Sequence, residues 1–520
     1  MKPVIEFIDM DREELNQLVE RARAALSQED YRKVKGMAEA LTYLSDLVAD
    51  QQTTIRDLRE LMFPAATEKM EAVLKKAGAE KPKAQKQTAG YGRNGAEEYR
   101  NAQCVQVAHA SLKHGDRCPG CHKGKVYEQQ VPWRLVRIVG QAPLTATIYE
   151  LQTLRCNLCG EIYGADAPEG VGEDKYDESA AAMIAQLKYG TGMPFYRLEH
   201  LENNLGIPLP ASTQWEIVEE AAELIKPARD ELIRQAAQGE VLHNDDTSMK
   251  VLSLRRAIIE EAGERTGIFT SGVVSTTEGR KIALFFTGRQ HAGENLADVL
   301  KRRAAELPTP IQMSDALSRN APKPIKLLVG NCLAHGRRQF VQITPNFPAQ
   351  CRHVLEALGE VYHHDQLARE HGLSRIERLH FHQEHSKPVM DDLHRWLDTQ
   401  LKDNKVEPNA GLGKAISYML RHWQALTLFL REPGAPLDNN LVERALKKAI
   451  LHRKNSLFYK TLNGAEVGDL YMSLIHTCEL NGMNAFDYLT EVQRHTEELR
   501  AKPAEWMPWS YRDTLARPAC

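Results

Sequence analysis

The chain has 520 residues, too many for one hydrophobic core, so several domains are expected. Hydrophobic residues make up 42% and charged residues 26%, as in water-soluble proteins; no run of about 18 apolar residues argues for a membrane span, and the opening MKPVIEFIDMDREEL lacks the apolar stretch of a secretory leader. The net charge of −3 excludes nothing, but its distribution is uneven: Glu80 to Arg137 holds eleven Lys/Arg against five Asp/Glu, and Arg444 to Lys460 holds six against none.

Residues 1–77 predict a long helix. Val34, Met37, Leu41, Leu44, Val48, Ile55, Leu58 and Met62 recur in steps of three and four, with Gln51 as the one polar seam position. That is the seam of a coiled coil, which predicts a homo-oligomer; a helix packed within its own domain is the competing reading. Residues 78–103 are a polar, basic linker.

The segment 104–165 carries CPGCHKGK and CNLCG, two C-x-x-C pairs each followed closely by glycine. Such turns let backbone N–H groups point at thiolates. The chain has nine cysteines, and the other five are scattered, a pattern that fits a reducing cytoplasm with one metal site better than a disulfide framework. Cys118, Cys121, Cys156 and Cys159 are therefore expected to hold one structural Zn²⁺. The runs VPWRLVRIVG and TATIYELQTLR would form the hairpins of a zinc ribbon.

Residues 175–238 predict a helical pair resembling a helix-turn-helix. Phe195, Leu198 and Leu201 line one face, Gly206 opens the turn, and Ser212 or Thr213 is expected to cap a second helix bearing Trp215, Ile217 and Val218. That second helix also carries Glu216, Glu219 and Glu220, which suit a phosphate-lined groove poorly, so a purely structural pair stays open.

From residue 239 the pattern turns to strands. EVLHNDDTSMKVLSL, GIFTSGVVSTT and RKIALFFTG are three β-rich runs; AGENLADVLKRRAAEL is an amphipathic helix; TPIQMSD and IKLLVGN are two more strands. This order predicts a ribonuclease H-like domain over 239–465 with a helical insertion at about 336–431. A helix follows DNN in PLDNNLVERALKKAI, and 466–520 read as a C-terminal helical tail. The fold class expected is multidomain α+β.

Asp245 and Asp315 then sit at strand ends and Glu443 on the helix after DNN. Carboxylates gathered at one sheet edge suit two divalent cations, Mg²⁺ or Mn²⁺, the arrangement that phosphodiester chemistry uses. His335, Arg337 and Arg338 follow the last strand; Arg444, Lys447, Lys448, Arg453 and Lys454 share the helix of Glu443. Both groups are expected to bind DNA phosphates, with a surface role as the bland alternative.

Seven segments in order, YGRNGAEEY, the two C-x-x-C knuckles, FYRLEHLENNLGIPL, HNDDTSMKVL, GNCLAHGRRQF, PLDNNLVERALKKAILHRKNSLFY and LIHTCELNGMNAFDYL, resemble the transposases of bacterial insertion-sequence family sixty-six. The resemblance implies a DDE transposase with catalytic acids at Asp245, Asp315 and Glu443. It departs at three places: Asp246 stands where Glu is usual, Asn244 where Ala is usual, and DALSRN follows Ser314 where the family continues Asp-Gly and an aromatic residue. On this reading, water cuts the element's ends and the freed 3′-hydroxyl attacks target DNA. Partners would be the terminal inverted repeats, target DNA and accessory proteins of the same element, with a cytoplasmic, nucleoid-associated location. The alternatives are a structure-selective nuclease of the same fold and a non-catalytic zinc-ribbon DNA-binding regulator.

Overall fold

The computed structural model describes residues 104–127, 134–172, 174–261, 266–277 and 279–517, with isolated positions between 21 and 35. Two compact units are formed by Met1–Glu80 with Thr344–Glu356, and by Lys81–Ile343 with Ala357–Cys520. The coiled-coil seam, Val34 apart, and the linker lie outside the described residues.

In the larger unit the cysteine segment holds two three-residue strands, β1 (Thr153–Arg155) and β2 (Ile162–Gly164), paired antiparallel. Residues 134–150, expected to form strands, have no regular structure. Leu135 is 94% exposed and Ile148 87%: apolar runs with no second layer to cover them gain nothing from pairing.

Helix α1 (Glu178–Ala185) runs into a π-turn, Gln186–Gly190, before α2 (Phe195–Asn204) and α3 (Ala211–Ala236). The turn opens at Gly206, whose φ is +84°. The cap, however, is Pro210 with no side-chain bond, and Ser212 and Thr213 fall inside the first turn of α3. The loop is tied instead by the buried Gln214, whose amide donates to the carbonyls of Phe195 and Leu209. The buried face of α3, including Val218, Ile225 and Leu232, joins the core that also holds the sheet.

That sheet has five strands, β3 (Val241–Ser248), β4 (Phe269–Thr277), β5 (Arg280–Gly288), β6 (Ile311–Ser314) and β7 (Leu328–Asn331), in the order β5-β4-β3-β6-β7. β4 runs antiparallel to both β3 and β5; β6 and β7 continue parallel to β3. After Ser248 the chain leaves the sheet, and the expected strand residues VLSL enter α4 (Leu252–Glu261) instead. Helix α5 (Ala292–Leu300) is shorter than its amphipathic run. The segment after β7 is helical, with α6 (Leu333–Ile343), α7 (Pro348–Glu370), α8 (Arg375–Phe381), α9 (Lys387–Lys402) and α10 (Gly411–Arg421); α11 (Asn440–Ser456) and α12 (Leu462–Leu480) follow.

Helix α12 seals the sheet at its β5 edge. The backbone N–H groups of Lys281, Ala283, Phe285 and Thr287 donate to side-chain oxygens of Asn481, Thr477, Ser473 and Asp469. Alternate strand residues rise about 6.6 Å and four helical residues about 6 Å, so the two series stay in step. An edge that would otherwise pair with another chain is thereby closed.

Candidate active site at the sheet edge

Asp245 does not end its strand as expected: it is the fifth of the eight residues of β3 and pairs across the ladder with Gly272 of β4. A Cβ at Gly272 would meet Val442 and Leu446 of α11 at 3.0 Å, so the missing side chain lets α11 lie against the sheet. Directly opposed residues project to one face, so Asp245 faces α11 and its neighbour Asp246 faces the other way. Asp246 is 1% exposed and committed, with His291 Nδ1 at 2.9 Å and an Arg319 guanidinium nitrogen at 3.3 Å.

Asp315 follows β6 directly. The Asn320 amide donates to both acids, at 2.5 Å to Asp315 and 3.2 Å to Asp245. Asn320 is fully buried, and its carbonyl accepts from the amides of Asn244 and Gln312. Burial and the charge of Asp315 push the Asp245 carboxyl up to about 7, against the bonds from the Asp246 N–H and Asn320. The three departures from the family pattern are thus in contact: Asn244 and Asp246 bond to Asn320 and Arg319 of DALSRN.

Glu443 lies in the first turn of α11. Asn439, at the helix cap, anchors that turn: its amide donates to the Asn244 carbonyl, its Oδ1 lies 3.0 Å from His243 Nδ1, and its N–H donates to the Cys332 sulfur. His335 Nδ1 stands 3.6 Å from Glu443 Oε1 and an Arg338 guanidinium nitrogen 3.8 Å from Oε2. Both Glu443 Oε1 and His335 Nδ1 are buried without a hydrogen-bond partner. Ligand atoms of Cys332, His335 and Glu443 all fall within 4.8 Å of one another, the one group of its kind among the described residues. Burial holds His335 below its usual range, against the charges of Glu443 and Asp315, which pull it up. Burial and the nearby Asp315 likewise raise Tyr418 to about 12.

The expected DNA-binding residues divide. Arg444, Lys447 and Lys454 are exposed on α11, and Arg337 is near Asp438 and Tyr362. Lys448 is held by the Gly190 carbonyl at 3.0 Å and Glu479 at 2.7 Å. Arg453 is bound to Thr247 and Ser248 at the end of β3. Sequence reasoning missed Asn320, Asn439, Cys332 and His291. The only signal for the first two was their place beside an expected acid.

In the cysteine segment each pair forms a tight turn. The Cys118 N–H donates to Gly124, and the Cys121 sulfur accepts from the Gly124 N–H at 3.4 Å. The Cys156 N–H donates to Glu161, and Gly160 takes φ +80°. Backbone N–H groups hold Cys121 below its usual range and bring Cys156 to about 7. The two pairs stand apart and do not form one ligand group.

A family profile described as "Transposase IS66 family" matches residues 175–467, a little over half of the chain. The chain belongs to this family. The match begins just ahead of α1 and runs into α12, so it spans the sheet, both aspartates and Glu443. Similar proteins are known in Sinorhizobium fredii (strain NBRC 101917 / NGR234). The uncharacterized protein y4jD is 29% identical over 332 residues, 60% of this chain and 61% of its own length. Uncharacterized protein y4hP is 26% identical over 346 residues, 63% and 61% respectively. The chain thus spans about three-fifths of the curated relatives it matches. No solved structure matches it. Among the described residues of this IS66-family chain, no helix is long and apolar enough to cross a membrane.

Proposed function

We propose that the protein is a DDE transposase that cuts the DNA ends of its insertion sequence and joins them to a target, with Asp245, Asp315 and Glu443 as catalytic acids. The observation that carries this reading is that Asn320 bridges Asp245 and Asp315, while Glu443, on the helix that packs against β3 and β4, lies 3.6 Å from His335; the three acids do not fall into one ligand group among the described residues. The strand order supports a ribonuclease H-like catalytic domain.

The residues fit two divalent cations, Mg²⁺ or Mn²⁺. Burial first, and then the charge of Asp315, raise the Asp245 carboxyl to about 7, and the buried Glu443 Oε1 has no hydrogen-bond donor. Hard carboxylate oxygens are the donors such ions prefer. When bound, the ions would activate an oxygen nucleophile and stabilise charge on the leaving oxygen. Asn320 holds the two aspartates in register, Asn439 fixes the turn that carries Glu443, and Asp246 keeps the DALSRN turn in place through Arg319. Arg337, Arg338, Arg444, Lys447 and Lys454 supply positive charge for DNA phosphates.

In the same proposal Cys118, Cys121, Cys156 and Cys159 close on one Zn²⁺, whose four thiolates would give the cysteine segment the core it lacks. The ribbon and helical pair contact terminal repeats, and the N-terminal heptads assemble protomers.

The test is Mg²⁺-dependent nicking and strand transfer on DNA carrying the element's ends. Asp245→Ala, Asp315→Ala and Glu443→Ala should each abolish both products while DNA binding survives. Full activity in Glu443→Ala would sink the mechanism; full activity in Asp315→Ala would remove that acid from it.

A further inference from the structure

Helix α11 carries a second feature besides Glu443. Its exposed residues are Arg444, Lys447, Leu451 and Lys454, spaced three, four and three apart, so they form one stripe along the helix. The stripe starts one residue from Glu443 and runs to the helix end, where Leu457 and Phe458 are 60% and 38% exposed and Lys460 is exposed beyond them.

The end of that stripe is strained. Leu457 has φ +69° and ψ −43°, and the Phe458 N–H donates to the Ser456 carbonyl at 2.8 Å, closing a three-residue γ-turn of the rare, strained hand. A bulky residue at positive φ is strained and persists only where its surroundings impose it. Here they do. The Leu457 N–H bonds to the Arg453 carbonyl, Arg453 is bound to the end of β3, and the Tyr459 N–H bonds to the Lys250 carbonyl. The fold thus holds an apolar side chain out into water, on a turn that prefers glycine, at the end of a basic track.

We infer that the exposed face of α11 is a track for duplex DNA and that Leu457, with Phe458 beside it, is a wedge that enters the base stack. The inference rests on the DNA reading above and assigns it a surface. Charge complementarity names the occupant: phosphates fit Arg444, Lys447 and Lys454, whereas an apolar protein partner would meet three cations before it met Leu457. Apolar side chains inserted between base steps unstack them and bend the duplex. Fourteen residues separate Glu443 from Leu457, about 21 Å of helix, so the opened step should lie about six base pairs from the scissile bond.

The experiment uses the full chain and duplexes of about 30 base pairs ending in a free 3′-hydroxyl, each with one 2-aminopurine at a different distance from that end. Wild-type protein should raise 2-aminopurine fluorescence several-fold at about the sixth pair and little elsewhere. Leu457→Gly relieves the strained turn, so it should melt at or above the wild-type temperature, yet lose the fluorescence rise and about tenfold in affinity. Phe458→Ala should reduce both in part. Binding without any position-dependent signal, or an unchanged signal in Leu457→Gly, overturns the wedge while leaving the DNA reading intact. No duplex binding by the wild type would overturn both.

Discussion

On the proposed reading, the cysteine segment and the five-stranded sheet would solve the same problem, placing metal ligands, with opposite means. In the sheet each acid is fixed from behind: Asn320, Asn244 and Gln312 form a buried amide chain beneath Asp245 and Asp315, and Gly272 admits the helix that brings Glu443. In the cysteine segment the pairs are shaped only by their own turns, and Leu135, Ile148 and Leu158 stand almost fully exposed. If the proposal holds, the site built on packed elements would exist before its ions arrive, and the site built on two short turns would depend on its ion for most of its folding free energy.

This contrast should break most visibly on metal removal. Pure protein should contain about one zinc per chain, and a strong chelator of soft ions should expose residues 104–172 to proteolysis while the sheet unit keeps its melting transition. A Cys156→Ser variant should show the same split. If zinc is absent, or if both regions melt together, the contrast is wrong.

The sheet's dependence on packing is tested at Gly272. Valine favours strands, so by intrinsic preference Gly272→Val should stabilise β4. Packing works against that preference: a Cβ there lies 3.0 Å from the Val442 and Leu446 side chains, and the two methyl groups valine adds beyond it need those side chains or α11 to give way. Overpacking of this kind costs about 1–3 kcal/mol. Denaturant melts should show that loss, and cleavage should fall further than stability explains, because Glu443 moves with the helix. A variant as stable as wild type would mean that α11 yields at no cost.

The strands that hold the acids were legible because alternating or continuous apolar runs have few rivals; Asp315 directly follows its strand as expected, whereas β3 runs three residues past Asp245. The support of the site was not. Asn320 lies 75 residues from Asp245, and nothing local marks an amide that two acids share. Lys448 and Arg453 read as DNA contacts because a basic run looks alike whether its charges face solvent or a neighbouring element; only the fold shows Glu479 and Ser248 opposite them. Asp469, Ser473, Thr477 and Asn481 recur every four residues, a spacing the sequence reading passed over because only the edge strand beside it gives it meaning. The cysteine segment was legible only in part: the end of TATIYELQTLR forms β1 and pairs with β2, but 134–150 form no strand, because period-two patterning specifies one only when a second layer covers one face.

The smallest expected effect probes the packed unit alone. His452 is 2% exposed, stacks on Tyr459 with centroids 4.3 Å apart, faces Tyr189, and has neither ring nitrogen bonded. Burial first, and then the Lys188 ammonium, push it down to about 3. In the unfolded chain it titrates near 6.5. Between these values the unfolded state takes a proton that the folded state refuses, so His452 costs the protein stability as pH falls from about 6.5 toward 3. At pH 5 the gap is about 1.5 units, or about 2 kcal/mol. Phenylalanine keeps the stack and removes both unbonded nitrogens. His452→Phe should therefore change little at pH 8 and melt several degrees above wild type at pH 5. Parallel acid curves for the two proteins would show that the ring finds a partner or water on protonation, and that the aromatic stack is less closed than its geometry implies.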